Sequence, residues 1–179
     1  MLERWHCASC GEEHRGIMHL GSAAPWHWQG PVEPEANSAL RFDGDFLSDD
    51  LCVIGGADFF VRGVLEIPVH GSDEPFGFGG WSTLSRANFE LYVASIDGAV
   101  LDEDAIWTGW LSTWAKPFPS TLNQPCWVEP RAGGLRPLIW LHDETHPLAA
   151  AQRDGIGRER LLEIYEANGH AFSRLSGLH

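Results

Sequence analysis

The chain has 179 residues, of which 44% are hydrophobic, and it carries 25 acidic against 12 basic residues. A chain of this length can form a single domain that buries roughly 70% of its unfolded surface, so it needs neither a disulfide nor a metal to have a core. The net charge of -13 argues against binding to nucleic acid or to an anionic membrane.

The acidic surface favours a basic protein as partner, because opposite charges steer two proteins toward each other. An alternative is that acidity keeps a protein with nine Trp residues soluble. The sequence does not open with a basic segment followed by an apolar run, and no apolar stretch approaches the roughly 20 residues of a membrane helix. We therefore expect a cytoplasmic protein whose four Cys residues are reduced thiols or metal ligands.

The pattern predicts one α+β domain over residues 1–179, with a mostly antiparallel sheet covered by C-terminal helices. Antiparallel pairing is expected because strand-like segments follow one another without helical crossovers. Within this domain we distinguish a Cys-containing segment at 1–20, an extended Pro/Gly-rich segment at 21–38, a sheet region at 40–145 and helices at 147–167.

The stretch Cys7-Ala-Ser-Cys10-Gly11-Glu-Glu-His14 resembles half of a zinc knuckle. Two thiols two residues apart, followed by Gly, can face one ion, and zinc prefers four sulfur or nitrogen ligands. His14 is a candidate third ligand. The second half of the motif is missing, so the fourth ligand would come from Cys52 or from a distant histidine, either His70 or His146. We expect this metal knuckle to pack at the edge of the sheet.

Two alternatives remain open for this Cys pair. A redox role is disfavoured, because the thiol pair of redox proteins normally opens a helix after a strand, whereas Gly11 favours a turn. The other alternative is that both thiols are idle.

The clearest strand is predicted at 58–69, where apolar residues alternate with polar ones. Further strands are expected at 76–84 and 106–113, and a hairpin around Gly133-Gly134 joins two more at 126–129 and 136–141. The residues expected to face the core from the first of these strands are Phe59, Val61, Leu65, Ile67 and Val69.

Three helices are predicted. Ser85 is a plausible N-cap for a helix over 86–96, whose buried side chains would be Phe89, Tyr92, Val93 and Ile96. Pro147 and Gly155 bound a short helix over 147–153, and a last helix covers 158–167.

His142-Asp-Glu-Thr-His146 has the histidine spacing of a metalloprotease helix. However, Pro147 disfavours helical geometry at His146, and the preceding residues read as a strand. We therefore favour a strand end followed by a helix whose N-cap lies near His146. The Gly-rich run at 76–81 lacks the Gly-Lys-Ser/Thr of a phosphate loop, and the acidic residues at 43–50 lack the ligand spacing of a calcium loop.

Several segments across the chain together resemble a bacterial family, domain-of-unknown-function family 2199. The matching pieces are Cys7-x-x-Cys10-Gly-x-x-His14, Ala24-Pro25, Ser48-Asp-Asp-Leu-Cys52-Val-Ile, Phe59-Phe-Val-Arg62-Gly-Val-Leu-Glu66-Ile-Pro-Val, Gly79-Gly-Trp81-Ser-Thr-Leu-Ser, Gly109-Trp-Leu, Pro119-Ser-Thr121, Arg136-Pro137 and His146-Pro-Leu-Ala-x-x-Gln152-x-x-Gly155-Ile. The resemblance implies no particular activity, substrate or catalytic residue. It includes Cys52 but neither Cys126 nor His142, which favours Cys52 and His14 as partners of the Cys pair.

The sequence is interpreted as a non-enzymatic interaction protein with a structural zinc bound by Cys7, Cys10, His14 and Cys52. An immunity-type protein that neutralises a basic toxin is one concrete version, by analogy of size and charge. The alternative is a zinc-dependent hydrolase with an open metal position and Glu66 or Asp143 as base.

Overall fold

A computed structural model of the chain describes residues 4–170, which form an α+β fold made mostly of strands. The strands are β1 (Trp5–His6), β2 (Glu13–His14), β3 (Leu20–Gly21), β4 (Phe46–Leu47), β5 (Leu51–Ile54), β6 (Asp58–Ile67), β7 (Phe76–Leu84), β8 (Trp107–Trp110), β9 (Pro125–Glu129) and β10 (Leu138–Leu141). The helices are α1 (Arg86–Ile96), α2 (Pro147–Asp154) and α3 (Arg158–Ala167). Among the described residues, none of the helices has the length and apolar character needed to span a bilayer.

The main sheet has eight strands, with the order β3-β7-β6-β10-β9-β8 and a β4–β5 hairpin attached to β6. Strand β6 is the organising element, because it pairs with β7 from Phe59 opposite Leu84 to Ile67 opposite Phe76. On its other side β6 pairs with β5 through its first half and with β10 at Val64. Strands β1 and β2 form a separate two-stranded sheet.

The α+β class is confirmed, and most strand pairings are antiparallel as predicted, but the sheet is mixed because two pairings are parallel. Strand β3 runs parallel to β7, and β10 runs parallel to β6. The prediction was based on strands that follow one another along the chain. It therefore missed pairings between distant segments, which can be parallel because the connection is long enough to return.

The core lies on the face of β6 that the period-two pattern predicted. All five core residues expected from this strand are buried: Phe59, Val61, Leu65, Ile67 and Val69. Helices α1 and α2 pack against β6, and α3 contributes Leu161, Ile164 and Tyr165 to the same cluster. The helices thus cover one face of the sheet, as expected.

A smaller apolar cluster lies apart from this core, formed by Leu47, Cys52, Phe60 and Trp81 with Trp28 packed against it. Two of these residues come from the β4–β5 hairpin, which the sequence analysis did not identify. The extended 21–38 segment contains two Trp residues, Trp26 and Trp28. Trp28 does pack here, whereas Trp26 is 57% exposed.

The helix boundaries agree with the predicted caps. The Ser85 side chain accepts a hydrogen bond from Asn88 N at 3.2 Å, and Gly155 ends α2 with a φ of 78°. Phe89 and Tyr92 are buried as predicted, but Ile96 is 40% exposed because α1 turns its last residue away from the core.

Candidate metal centre

The two N-terminal thiols lie in the turn between β1 and β2. The β1–β2 register pairs Trp5 with His14, and Cys7 N donates to Glu12 O at 2.9 Å. Gly11 N donates to Cys7 O, and its φ of +75° is a conformation that side-chain-bearing residues rarely adopt. The turn therefore folds Cys10 back beside Cys7.

This hairpin is anchored on α3 through aromatic stacking. The Trp5 ring stacks on His14, with centroids 4.4 Å apart, and on Tyr165 of α3, with centroids 5.5 Å apart. The Tyr165 hydroxyl accepts a hydrogen bond from Met18 N at 2.9 Å. The N-terminal turn is thereby brought close to the residue that follows the last helix turn, His170.

Potential metal-ligand atoms converge at this point in two groups that share Cys10. The sulfurs of Cys7 and Cys10 and a ring nitrogen of His170 lie within 4.8 Å of one another, and so do ligand atoms of Cys10, Glu12 and His14. This Cys/His cluster could hold a metal ion.

The observed separations suit a tetrahedral ion. With metal–sulfur and metal–nitrogen distances of about 2.3 Å and 2.0–2.1 Å, sulfur and nitrogen ligands of one zinc lie roughly 3.6 Å apart. Cys7 Sγ is 3.7 Å from His170 Nδ1, and Cys10 Sγ is 3.2 Å from His14 Nε2. Both pairs therefore approach the spacing that a shared ion would impose.

The acidity of the thiols separates Cys7 from the two other buried Cys residues. Hydrogen bonds, chiefly from the Cys10 backbone N–H and with a further contribution from His170, lower the pKa of Cys7 to about 6, although burial opposes the shift. Burial raises the pKa of Cys52 to about 12 and that of Cys126 to about 11. Since metals bind the thiolate, Cys7 is prepared for ligation and the other two are not.

Cys52, which we predicted as a fourth ligand, lies elsewhere. It is fully buried in the small apolar cluster with Leu47, Phe60 and Trp81, and it belongs to neither group of potential ligands. Its place in the alternating pattern of β5 explains this position, because the side chain points into the apolar layer. The structure places Cys10 in one group with Cys7 and in another with His14, and Cys52 in neither.

The other histidines considered from the sequence have structural partners. His70 Nε2 lies 2.9 Å from Asp154 O, next to the end of α2. His146 is the N-cap of α2, and its Nδ1 accepts from Leu148 N at 3.1 Å, which confirms the predicted helix cap. His142 packs on Trp127, so the two histidines of this segment do not share a helix face.

The two carboxylates proposed as a hydrolytic base are also not among the clustered ligands. Asp143 accepts hydrogen bonds from the Thr145 hydroxyl and N–H, which lower the pKa of Asp143. Glu66 lines a groove on the sheet. Glu12 is the carboxylate that does lie beside the thiols.

His170 is the ligand candidate that sequence reasoning missed. It is distant from the Cys pair along the chain, and no spacing rule connects them. The only available signal was the short polar segment after α3, which gives no indication of where it packs. The Trp5–Tyr165 stacking that brings His170 to the site depends on tertiary structure alone.

A protein-family model described as "Uncharacterized protein conserved in bacteria (DUF2199)" matches residues 6–156 of the chain. The match includes Cys7, Cys10, His14 and Cys52, whereas His170 lies beyond it. No curated protein and no solved structure matches the chain.

Proposed function

The chain belongs to the bacterial family DUF2199, and we propose that it is a non-enzymatic interaction protein with a structural zinc ion and a basic protein partner. The ligands proposed for zinc are Cys7, Cys10, His14 and His170. His170 takes the place that the sequence analysis gave to Cys52.

The observation that carries the proposal is the Cys7–Cys10–His170 group. Thiolate and imidazole are the usual ligands of structural zinc, and carboxylate-rich sets would favour magnesium or calcium instead. One of the thiols, Cys7, has its pKa lowered to about 6, so its thiolate is the main form at neutral pH. The donor chemistry supports zinc more than any hard cation.

His14 completes the set if its ring moves from its present position toward Cys7 and His170. It already lies 3.2 Å from Cys10 Sγ. Four protein ligands would close the coordination sphere and leave no position for water, which is the arrangement of a structural site. The ion would then fasten the β1–β2 hairpin to the chain beyond α3.

The interaction role depends on charge. The net charge of -13 would attract a basic protein and repel nucleic acid and anionic lipid, which fits a cytoplasmic protein-binding role. A pulldown with the purified protein as bait, run at low and at high salt, tests this role. We expect captured partners to be basic and to be lost at high salt; neutral or acidic partners would contradict the role.

A zinc hydrolase is the second candidate, and one observation favours it. His14 is not in the same group as Cys7 and His170, while Glu12 lies in the group with Cys10 and His14. Three protein ligands would leave a position for water, and Glu12 could act as its base.

Metal analysis of the untagged, reduced protein tests the zinc proposal. We expect one equivalent of zinc per chain, and less than one equivalent would contradict both candidates. His14→Ala separates them. If the site is structural, this variant loses most of its zinc affinity; if three ligands suffice for an open site, it keeps its zinc.

The control for these variants is Cys126→Ser. Cys126 is a buried thiol outside the cluster, and its sulfur lies 3.1 Å from Ser82 Oγ, so a serine hydroxyl would have a partner there. This variant should bind zinc as the unmutated protein does.

A further inference from the structure

A groove of about 400 Å³ lies on the face of the sheet opposite the core, away from the thiol cluster. Its volume falls within the usual range of small-ligand sites. Arg62, Val64 and Glu66 of β6 point into it, since they alternate with the core residues of the same strand.

Glycines open the groove beside the arginine. Gly79 of β7 lies opposite Val64 in the β6–β7 pairing and carries no side chain to cover it. A Cβ on Gly79 would lie 3.6 Å from Arg62 Nε, and a Cβ on Gly21 would lie 3.3 Å from Arg62 Nη2. A side chain at either glycine would therefore crowd this guanidinium, whose Nε is buried.

Arg62 lacks a carboxylate partner in the described part of the chain. Its Nη1 donates to Asp49 O at a long 3.5 Å, its Cζ lies 6.0 Å from the Trp81 ring, and its buried Nε has no hydrogen-bond partner. Burying a guanidinium N–H without a hydrogen-bond partner costs free energy of folding, because the lost hydration is not replaced.

A second arginine stands beside it. Arg136 also lines the groove, and its Nη2 donates to the same Asp49 carbonyl at 3.3 Å. Arg136 is neutralised by Asp50 at 2.9 Å, whereas Arg62 is not. Burial, and to a lesser extent the nearby Arg136 charge, lower the pKa of Arg62, although the charges of Asp49 and Asp50 act in the opposite direction.

We propose that this groove binds a small oxyanion, a carboxylate or a phosphate group, at the guanidinium of Arg62. A guanidinium presents its N–H donors in one plane, where they match the oxygens of such a group. Glu66 and Glu74 line the same groove and would repel further negative charge. The site therefore favours a ligand with few negative charges over a polyanion.

The proposal is tested by titrating the full-length protein with sodium phosphate and, separately, with sodium succinate, against sodium chloride at equal ionic strength. Thermal unfolding and calorimetry report binding. We expect saturable stabilisation by at least one of the two oxyanions beyond that by chloride. A response to succinate alone identifies a carboxylate site, and a response to phosphate alone identifies a phosphate site.

Variants locate the effect. Arg62→Ala should reduce the affinity for the anion at least tenfold. Arg62→Lys keeps the charge but loses the planar guanidinium donors, so it should also reduce the affinity. Arg153→Ala is the matched control, because Arg153 is exposed, pairs with Asp154 and does not line the groove. Circular dichroism checks that each variant is folded. If Arg62→Ala does not fold, the affinity of Arg62→Lys tests the proposal instead. Equal responses to chloride and both oxyanions, or unchanged affinity in the Arg62 variants, would overturn the proposal.

Discussion

Cys7 Sγ lies 3.7 Å from His170 Nδ1, although 163 residues separate the two along the chain. Cys7 follows the first strand and His170 follows the last helix, so a shared ion would join the two ends of the described fold. A link that closes so long a loop removes more freedom from the unfolded chain than a local one does, which makes this contact the most consequential at the proposed site.

Chelating the metal should destabilise the protein without unfolding it. Binding to the folded state alone contributes about 2.7 kcal/mol when free zinc is about one hundred times its Kd. We expect the free energy of unfolding, measured with a denaturant, to fall by this amount after chelation. The far-ultraviolet circular dichroism should stay unchanged, since the β6 core needs no metal. The chelator should not affect Cys10→Ser, and loss of all secondary structure would contradict the account.

The metal-free protein should lose stability as the pH falls from about 9 to about 6. The pKa of Cys7 is about 6 in the folded protein against an ordinary value of 9.0, so the folded state favours the thiolate. This contribution is complete above pH 9 and is lost as the thiolate is protonated through pH 6. Urea unfolding of the reduced protein across this range measures it. Cys7→Ser should reduce the pH dependence, and an identical pH profile in that variant would count against the lowered pKa.

Gly63→Ala should destabilise the contact between β6 and the segment leading into β10. A Cβ at Gly63 would lie 2.7 Å from both Ile139 Cγ1 and Pro137 O, and the backbone oxygen cannot move aside as a side chain can. Overpacking of this kind costs about 1–3 kcal/mol in the free energy of unfolding, measured by urea denaturation. Gly44→Ala is the control, because its Cβ would meet nothing within 4 Å. Equal stability of the two variants would mean that this region packs differently.

Gln152→Leu should be among the more damaging single changes in α2. The buried Gln152 side chain accepts from Leu141 N at 3.1 Å and donates to Ile139 O at 2.8 Å, which fastens α2 to β10. Leucine would leave both backbone groups without a partner, at a cost of about 2–4 kcal/mol in the free energy of unfolding. The neighbouring Arg153→Ala should change stability by less than about 1 kcal/mol, because Arg153 forms only a surface ion pair. Thermal or urea unfolding that ranks the two variants the other way would contradict this role.

Local patterns predicted the individual elements well because local forces determine them. The alternation along β6 and the caps at Ser85 and His146 are set by side chains within a few residues. The parallel pairing of β10 with β6 was not predictable in this way, since it depends on where a strand returns after a long connection.

The same distinction between local patterns and tertiary packing applies to the candidate site. The positions of Cys7, Cys10 and His14 could be predicted from their spacing, because a turn with Gly11 brings Cys10 close to each of the other two. Those of Cys52 and His170 could not, because each is positioned by packing: Cys52 enters an apolar layer with Trp81, and His170 follows a helix that stacks on the N-terminal hairpin.

We propose that one zinc ion is held by two thiolates and two imidazoles from the two ends of the fold. X-ray absorption at the zinc edge of the purified protein tests this ligand set, because it counts the ligands. We expect two sulfurs at about 2.3 Å and two imidazole nitrogens at about 2.0–2.1 Å, with one imidazole lost in His170→Ala. A first shell without sulfur, or one that is unchanged in His170→Ala, would contradict it.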